Sequence, residues 1–247
     1  MNDVIGSNTA RRPARSAGTS LWLGIIGISL AIAGSYGSGQ EFWPFKIGLL
    51  MVAVAFLLAA IGGLVGLFAL SRNSQASGLG RRITIGLLLC GVVLAGVGPW
   101  IYRGVSLPPI HDVTTDLANP PAFAVLAMRK DNLAGVESLD QWRELHRKAY
   151  SDIAPITLRM TPDAVIARAQ TLVSERGWTI APGAAGRLEA TDTVSPFKFK
   201  DDVVIIATPT ADGQSTLVNM RSVSRVGASD FGINAKRIRE FLAALQK

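Results

Sequence analysis

Hydrophobic positions along the chain follow two regimes that meet near residue 103. Before it they form long unbroken runs, and beyond it they recur with the short periods of helices and strands. The longest run, Ile47 to Leu70, holds 24 residues without a charge. At about 1.5 Å per residue, a helix of that length crosses a hydrocarbon core of about 30 Å. Ser16 to Gln40 is also free of charge and contains LWLGIIGISLAIAGSY, and Ile83 to Tyr102 reads ITIGLLLCGVVLAGVGPWIY. A backbone in lipid must satisfy its own hydrogen bonds, so residues 21–102 are expected to form three transmembrane helices. Their many Gly, Ala and Ser residues favour close helix packing. Residues 1–20, small and polar with Arg11, Arg12 and Arg15, read as a disordered cytoplasmic tail.

Past Arg103 the pattern changes. Residues 103–154 soon turn, from Leu107, to LPPIHDVTTDLANPPAF, where Pro108, Pro109, Pro120 and Pro121 forbid a helix and predict a stiff extended strap leading away from the bilayer. An amphipathic helix follows over LDQWRELHRKAY, with Leu139, Trp142, His146 and Ala149 on one face and Ser138 and Gln141 at capping-box spacing. Residues 155–247 read as a soluble domain. A strand over Ile156 to Met160 leads to a helix announced by Thr161, Pro162 and Asp163 and stopped by Gly177. Four strands are predicted after it, at Trp178 to Ala181, Arg187 to Thr193, Val203 to Thr208 and Thr216 to Val226. A last helix carries Ile238, Phe241, Leu242 and Leu245 as one stripe. The fold class expected is α+β: three transmembrane helices, then a small antiparallel sheet with two helices packed on one face.

Charge sharpens the membrane picture. The formal net charge is +7, yet residues 1–102 hold seven Lys/Arg against two Asp/Glu, leaving eighteen against sixteen for the rest. Most of the basicity therefore belongs to the membrane half, and a nucleic-acid partner loses its main support. The arginines stand before the first run and between the second and third (Arg72, Arg81, Arg82). The positive-inside rule then puts the N-terminus in the cytoplasm and, after three crossings, residues 103–247 on the far side, the periplasm of a bacterium with the helices in its inner membrane. The three runs also favour an uncleaved first helix over a signal peptide. The single cysteine, Cys90, lies in an apolar run, which excludes an intramolecular disulfide and a zinc site of cysteines.

Candidate chemistry is confined to the far half. Strand periodicity places Arg221 and Arg225 on one face of the last strand, about 13 Å apart, and GASDFGIN then opens a helix whose free amides favour an anion. Arg221, Arg225, Ser229, Asn234 and Arg237 form a candidate anion site. The competing reading pairs Arg221 and Arg225 with Asp192, Asp201 or Asp202 and makes Asp230 a helix cap. His111, Asp112 and Asp116 are a second polar cluster, with Asp192 and Asp202 as further members. An extended chain would separate His111 from Asp116 by about 16 Å, so turn capping competes with any metal role and no metal is assigned. No nucleophile-elbow or phosphate-loop context is present, and no cofactor is expected.

Several separated segments resemble one family: PPIHDVTTD with NPPAF, AYSDIAPI, EATDT followed by FKDDVVI, and above all MRSVSRVGASDFGINAKRIREFL. Together, over about residues 105 to 247, they are similar to the domain of unknown function 1499 family. The resemblance implies a bacterial or plastid membrane-associated protein, with membrane helices ahead of the domain, and supplies no activity. The expected function is a non-enzymatic binding or scaffolding module, with the lipid bilayer as one partner and an anionic ligand, lipid headgroup or membrane or periplasmic protein as the other. The alternative is a membrane-anchored hydrolase using His111 with Asp112 or Asp202.

Overall fold

A computed structural model describes residues 11–72, 77–183 and 185–247, which divide into two units, Met1–Tyr102 and Arg103–Lys247. In the first, α1 (Arg11–Gly39), α2 (Phe45–Arg72) and α3 (Ser77–Ser106) each contain a stretch long and apolar enough to span a membrane. Helix α1 begins at Arg11, so residues 11–20, expected in the disordered tail, are helical; residues 1–10 of that tail lie outside the described residues. Alanine and arginine favour the helix there, and Pro13 falls in the first turn, where its missing N–H costs no intrahelical bond.

The membrane unit is packed inside out relative to a soluble protein. Gly48, Ala55, Ala59, Gly62, Gly66 and Ala69 make the buried stripe of α2, whereas Leu57, Leu64 and Leu88 are more than half exposed. Small residues bring backbones together: a Cβ added at Gly34 of α1 would lie 2.7 Å from the Gly48 carbonyl oxygen of α2. A Cβ at Gly48 would collide with the Ser38 hydroxyl and the Gly34 carbonyl. Gly48→Val is therefore expected to destabilise the full chain in detergent by about 1–3 kcal/mol, the usual cost of overpacking, read as a lower midpoint of thermal unfolding. A midpoint equal to the parent's would contradict this packing.

The second unit is a six-stranded antiparallel sheet. Its strands are β1 (Asp112–Thr114), β2 (Ile156–Leu158), β3 (Thr179–Ile180), β4 (Arg187–Val194), β5 (Phe199–Pro209) and β6 (Thr216–Ser224). The order is β1-β6-β5-β4-β3, and β2 pairs with β6 beside β1, so two short strands share the β6 edge. Helices α5 (Pro162–Glu175) and α6 (Ile233–Leu245) cover one face, where Val165, Ala169, Val173, Ile238, Phe241 and Leu245 meet Leu188, Val203, Ile205, Val218 and Met220. Trp178 stacks on Phe241 at 5.5 Å. This is the antiparallel α+β domain expected from the sequence.

Residues 103–154 depart from expectation. They are not a strap apart from the domain: Ile110, Val113, Trp142, Tyr150 and Ile153 belong to the same core as the sheet. β1 supplies the edge strand, and helix α4 (Leu139–Ala149) covers that edge. The Trp142 indole donates to the Asp112 carbonyl at 3.0 Å, and the Thr114 N–H donates to His146 Nε2 at 3.1 Å. One outward polar group on each of Asp112 and Thr114 is thus occupied by a side chain of α4, which hinders pairing of this edge with another chain. Leu139, expected on the inner face of that helix, is instead 46 % exposed. Prolines bracketing the segment hid β1, because a three-residue strand needs no periodicity of its own when a long neighbour supplies the ladder.

Candidate functional site

The arginines singled out above are each held by carboxylates. Arg221 makes a two-point contact with Asp112, Nε to Oδ1 at 2.9 Å and Nη2 to Oδ2 at 2.6 Å, and donates from Nη1 to the Pro121 carbonyl. Arg225 does the same with Asp202, at 2.8 Å on each side, and reaches the Thr191 hydroxyl. Arg237, only 4 % exposed, joins Asp192 at 2.8 Å and Asp201 at 2.7 Å, and donates to the Ser222 hydroxyl and to Asn234 Oδ1. Asn234 in turn donates to the His111 carbonyl and the Ser224 hydroxyl, both at 2.9 Å. Parallel two-point guanidinium contacts of this kind fix orientation as well as charge.

This geometry corrects the expected anion site. Asn219, Arg221 and Val223 do share a sheet face, but Asp112 arrives on β1 directly across from Val223 and takes up Arg221. The start of α6 is likewise occupied. Asp230 Oδ1 accepts from the Gly232 N–H at 2.9 Å and Oδ2 from the Asn234 N–H at 2.6 Å, where an anion would have bound. The Ser229 hydroxyl accepts from the Phe231 N–H, and Asn234 is fully buried. Beside Arg225 and Arg129 there is a crevice of only about 10 Å³. The group is a closed frame of three arginines and four aspartates that cross-ties β1, β4, β5, β6 and α6.

The second cluster also separates. Asp112 belongs to Arg221 and accepts from the Asn132 amide at 2.5 Å. Asp116 caps a turn, accepting from the Ala118 and Asn119 N–H groups at 2.9 Å. His111, 1 % exposed, has its Nδ1 3.4 Å from the Ala228 carbonyl, and its Nε2 has no hydrogen-bond partner. Neither Asp112 nor Asp202 is hydrogen-bonded to His111; both carboxylates are engaged by arginines instead of forming the pair of the alternative hydrolase reading. Among the described residues no group of three His, Cys, Asp or Glu has metal-binding geometry.

Sequence reading passed over a carboxylate. Glu189 on β4 is fully buried and accepts from three successive backbone N–H groups, Ala124 at 2.6 Å, Val125 at 3.1 Å and Leu126 at 2.8 Å, with Arg187 at 3.2 Å. Burial alone would push its pKa up, but the donors from Leu126, Ala124 and Val125 and the Arg187 contact outweigh it and hold it below the usual range. With Arg221 on the Pro121 carbonyl and Arg187 on the Ala122 carbonyl, this fastens residues 121–126 across the sheet face opposite the helices. A larger open concavity lies elsewhere, a cleft of about 310 Å³ between α5 and the β3–β4 hairpin, with Ile166, Ala167, Ile180 and Leu188 beside Asp163, Gln170 and Arg187.

Buried titratable groups give the unit a pH response. Desolvation lowers His146 from its ordinary value of 6.5 to about 4 against the pull of Asp112, and lowers His111 as well. Burial raises Asp230 from 3.8 to about 6 despite its two backbone donors. For the histidines the unfolded chain binds more protons, so their contribution to stability is complete above pH 6.5 and falls away as the pH drops toward 4. Asp230 has the opposite sign, favouring the fold at low pH and losing that as the pH rises through about 6. The two trends oppose each other between about pH 4 and 6, where His146→Gln is expected to lower the acid sensitivity of the unfolding midpoint and Asp230→Asn to increase it. Identical slopes of midpoint against pH in parent and variants would refute this assignment.

The family model described as protein of unknown function DUF1499 matches residues 112–245, from the first residue of β1 to the last of α6. No curated protein and no solved structure matches the chain. The match spans more than half of the sequence and takes in the edge strand, the fastened segment and the arginine frame as one piece. The chain belongs to the DUF1499 family, with three candidate membrane helices ahead of the family domain.

Proposed function

We propose that the chain is a membrane-anchored recognition module, in which three helices hold a single α+β domain at the outer surface of a bacterial inner membrane to bind a neighbouring protein. The observation that carries this reading is the contrast between a closed polar frame and an open cleft. The arginines and aspartates that could have held an anion are tied to one another, whereas the cleft of about 310 Å³ beside α5 is lined both by apolar side chains, Ile166 and Ile180 among them, and by Asp163, Gln170 and Arg187. That mix of apolar and polar lining suits recognition of a protein side chain. The placement of arginines around the first helix and between the second and third supports a cytoplasmic N-terminus.

Two measurements test the reading. A periplasm-only reporter is expected to be active after Lys247 and silent after Ser77, and the reverse pattern would overturn the orientation. A photo-reactive side chain at Ala167, exposed in the cleft, is expected to give a discrete protein adduct in native membranes that the same group at Asp212, on the β5–β6 turn, does not. Equal labelling from both positions, or none from Ala167, would remove the cleft as the recognition site.

A further inference from the structure

Residues 121–128, PAFAVLAM, are apolar throughout, yet they lie at the surface of the domain with no regular secondary structure. Val125 is 51 % exposed, Ala122, Ala124 and Ala127 are exposed, and Phe123, Leu126 and Met128 are half-buried. An irregular apolar loop in water would ordinarily turn its amides outward. Here they turn inward: the Ala124, Val125 and Leu126 N–H groups donate to Glu189, and the Pro121 and Ala122 carbonyls accept from Arg221 and Arg187. Pro121 has no N–H to satisfy. The segment thus presents side chains outward while five of its backbone polar groups are already partnered.

We propose that residues 121–128 are a bilayer-contact loop that dips Val125 and its neighbours into the interfacial zone of the membrane in which the chain is anchored. Glu189 and the two arginines already hold five of the segment's backbone polar groups, and the others can meet water among the headgroups, so the depth that suits it is the interfacial zone and not the hydrocarbon interior. The adjoining crevice is only about 10 Å³, so no pocket beside the loop marks a partner's side chain. A bilayer needs no groove, because apolar side chains enter it to a depth of about 5–10 Å. Chain connectivity keeps a membrane within reach: five residues, 107–111, separate the end of α3 from the start of β1, at most about 18 Å of extended chain. Lys130, exposed just beyond the loop, adds a cation suited to anionic headgroups. The inference depends on the membrane anchor and is independent of the cleft.

The test uses the full chain with Cys90→Ser, reconstituted in vesicles of phosphatidylcholine and phosphatidylglycerol. An environment-sensitive fluorophore is attached at Val125→Cys or, as a control, at Ile180→Cys, which is similarly exposed but lies on β3 beside α5, on the helix-covered side of the sheet. The Val125 label is expected to shift to the blue on reconstitution and to lose emission to a lipid-borne quencher but not to iodide, while the Ile180 label behaves in the reverse way. Quenching of both labels by iodide alone overturns the proposal. Protection of the Val125 label from both quenchers overturns it too, since a protein surface, either a second copy or a neighbour, would then cover the loop. A failure here leaves the Ala167 adduct untouched, and a missing adduct leaves this result untouched.

Discussion

Arg237→Ala is expected to cost about 3–5 kcal/mol, the usual penalty for leaving buried carboxylates without their counter-charge. For a domain of this size that corresponds to a fall of roughly 10 °C in the unfolding midpoint of the full chain. The reason lies in what the substitution strands. Asp201, 3 % exposed, and Asp192 lose a shared guanidinium, while Asn234 and Ser222 lose a donor in the same step. The double variant Arg237→Met, Asp201→Asn is expected to recover part of the loss, because it removes the stranded charge and keeps the volume. An arginine whose task was to hold a bound anion would behave differently, leaving the midpoint unchanged or raised once the electrostatic demand disappeared. A stable Arg237→Ala protein would therefore reopen the anion site that the paired carboxylates close.

The three long apolar helices and the sheet were legible because each rests on local pattern. Helices in lipid have no soluble alternative for two dozen uncharged residues, and Val203 to Ile206 could only be a covered strand once turns bounded it. The arginine partners were half legible. Period two put Arg221 and Arg225 on one face, and the pairing of Arg225 with Asp202 was among the alternatives that adjacency on a neighbouring strand allows. The partner of Arg221 was out of reach, since Asp112 lies 109 positions away on a strand that prolines concealed. Asp201 and Asp202 point to opposite faces, as alternation requires, so they serve two different arginines, Arg237 on the helix side and Arg225 on the other.

The second covered face was missed for an instructive reason. Arg187, Glu189 and Thr191 alternate with Leu188 and Ala190, which reads as a strand with one face in water. Water is replaced there by backbone, and a segment of chain supplies what solvent would otherwise have given Glu189. The uninterrupted apolar run of β5 from Val203 to Ala207 was the available signal: Val203, Val204 and Ile205 are buried on alternating faces, which a sheet solvated on one side does not require.

Glu189→Ala is the sharpest test of that arrangement. It removes an ionised acceptor from three successive amides, and hydrogen bonds to a charged group contribute about 1.5–3 kcal/mol each at most, with part of the loss recovered as the freed amides meet water. A net destabilisation of about 3 kcal/mol is expected, smaller than for Arg237→Ala because residues 121–126 can lift away from the sheet instead of remaining as buried orphans. Hydrogen exchange localises the effect. The Ala124, Val125 and Leu126 amides should lose protection, while β5 and β6 amides keep theirs until global unfolding. The carboxylate's lowered pKa fixes the pH dependence, since its contribution is present above the unfolded value of 4.5 and disappears as the pH falls through the folded one. Acid should therefore reproduce the variant in the parent, opening residues 124–126 ahead of the core. Unchanged exchange at those three amides in Glu189→Ala would mean that the loop is held by its own side chains and that the buried carboxylate does not fasten it.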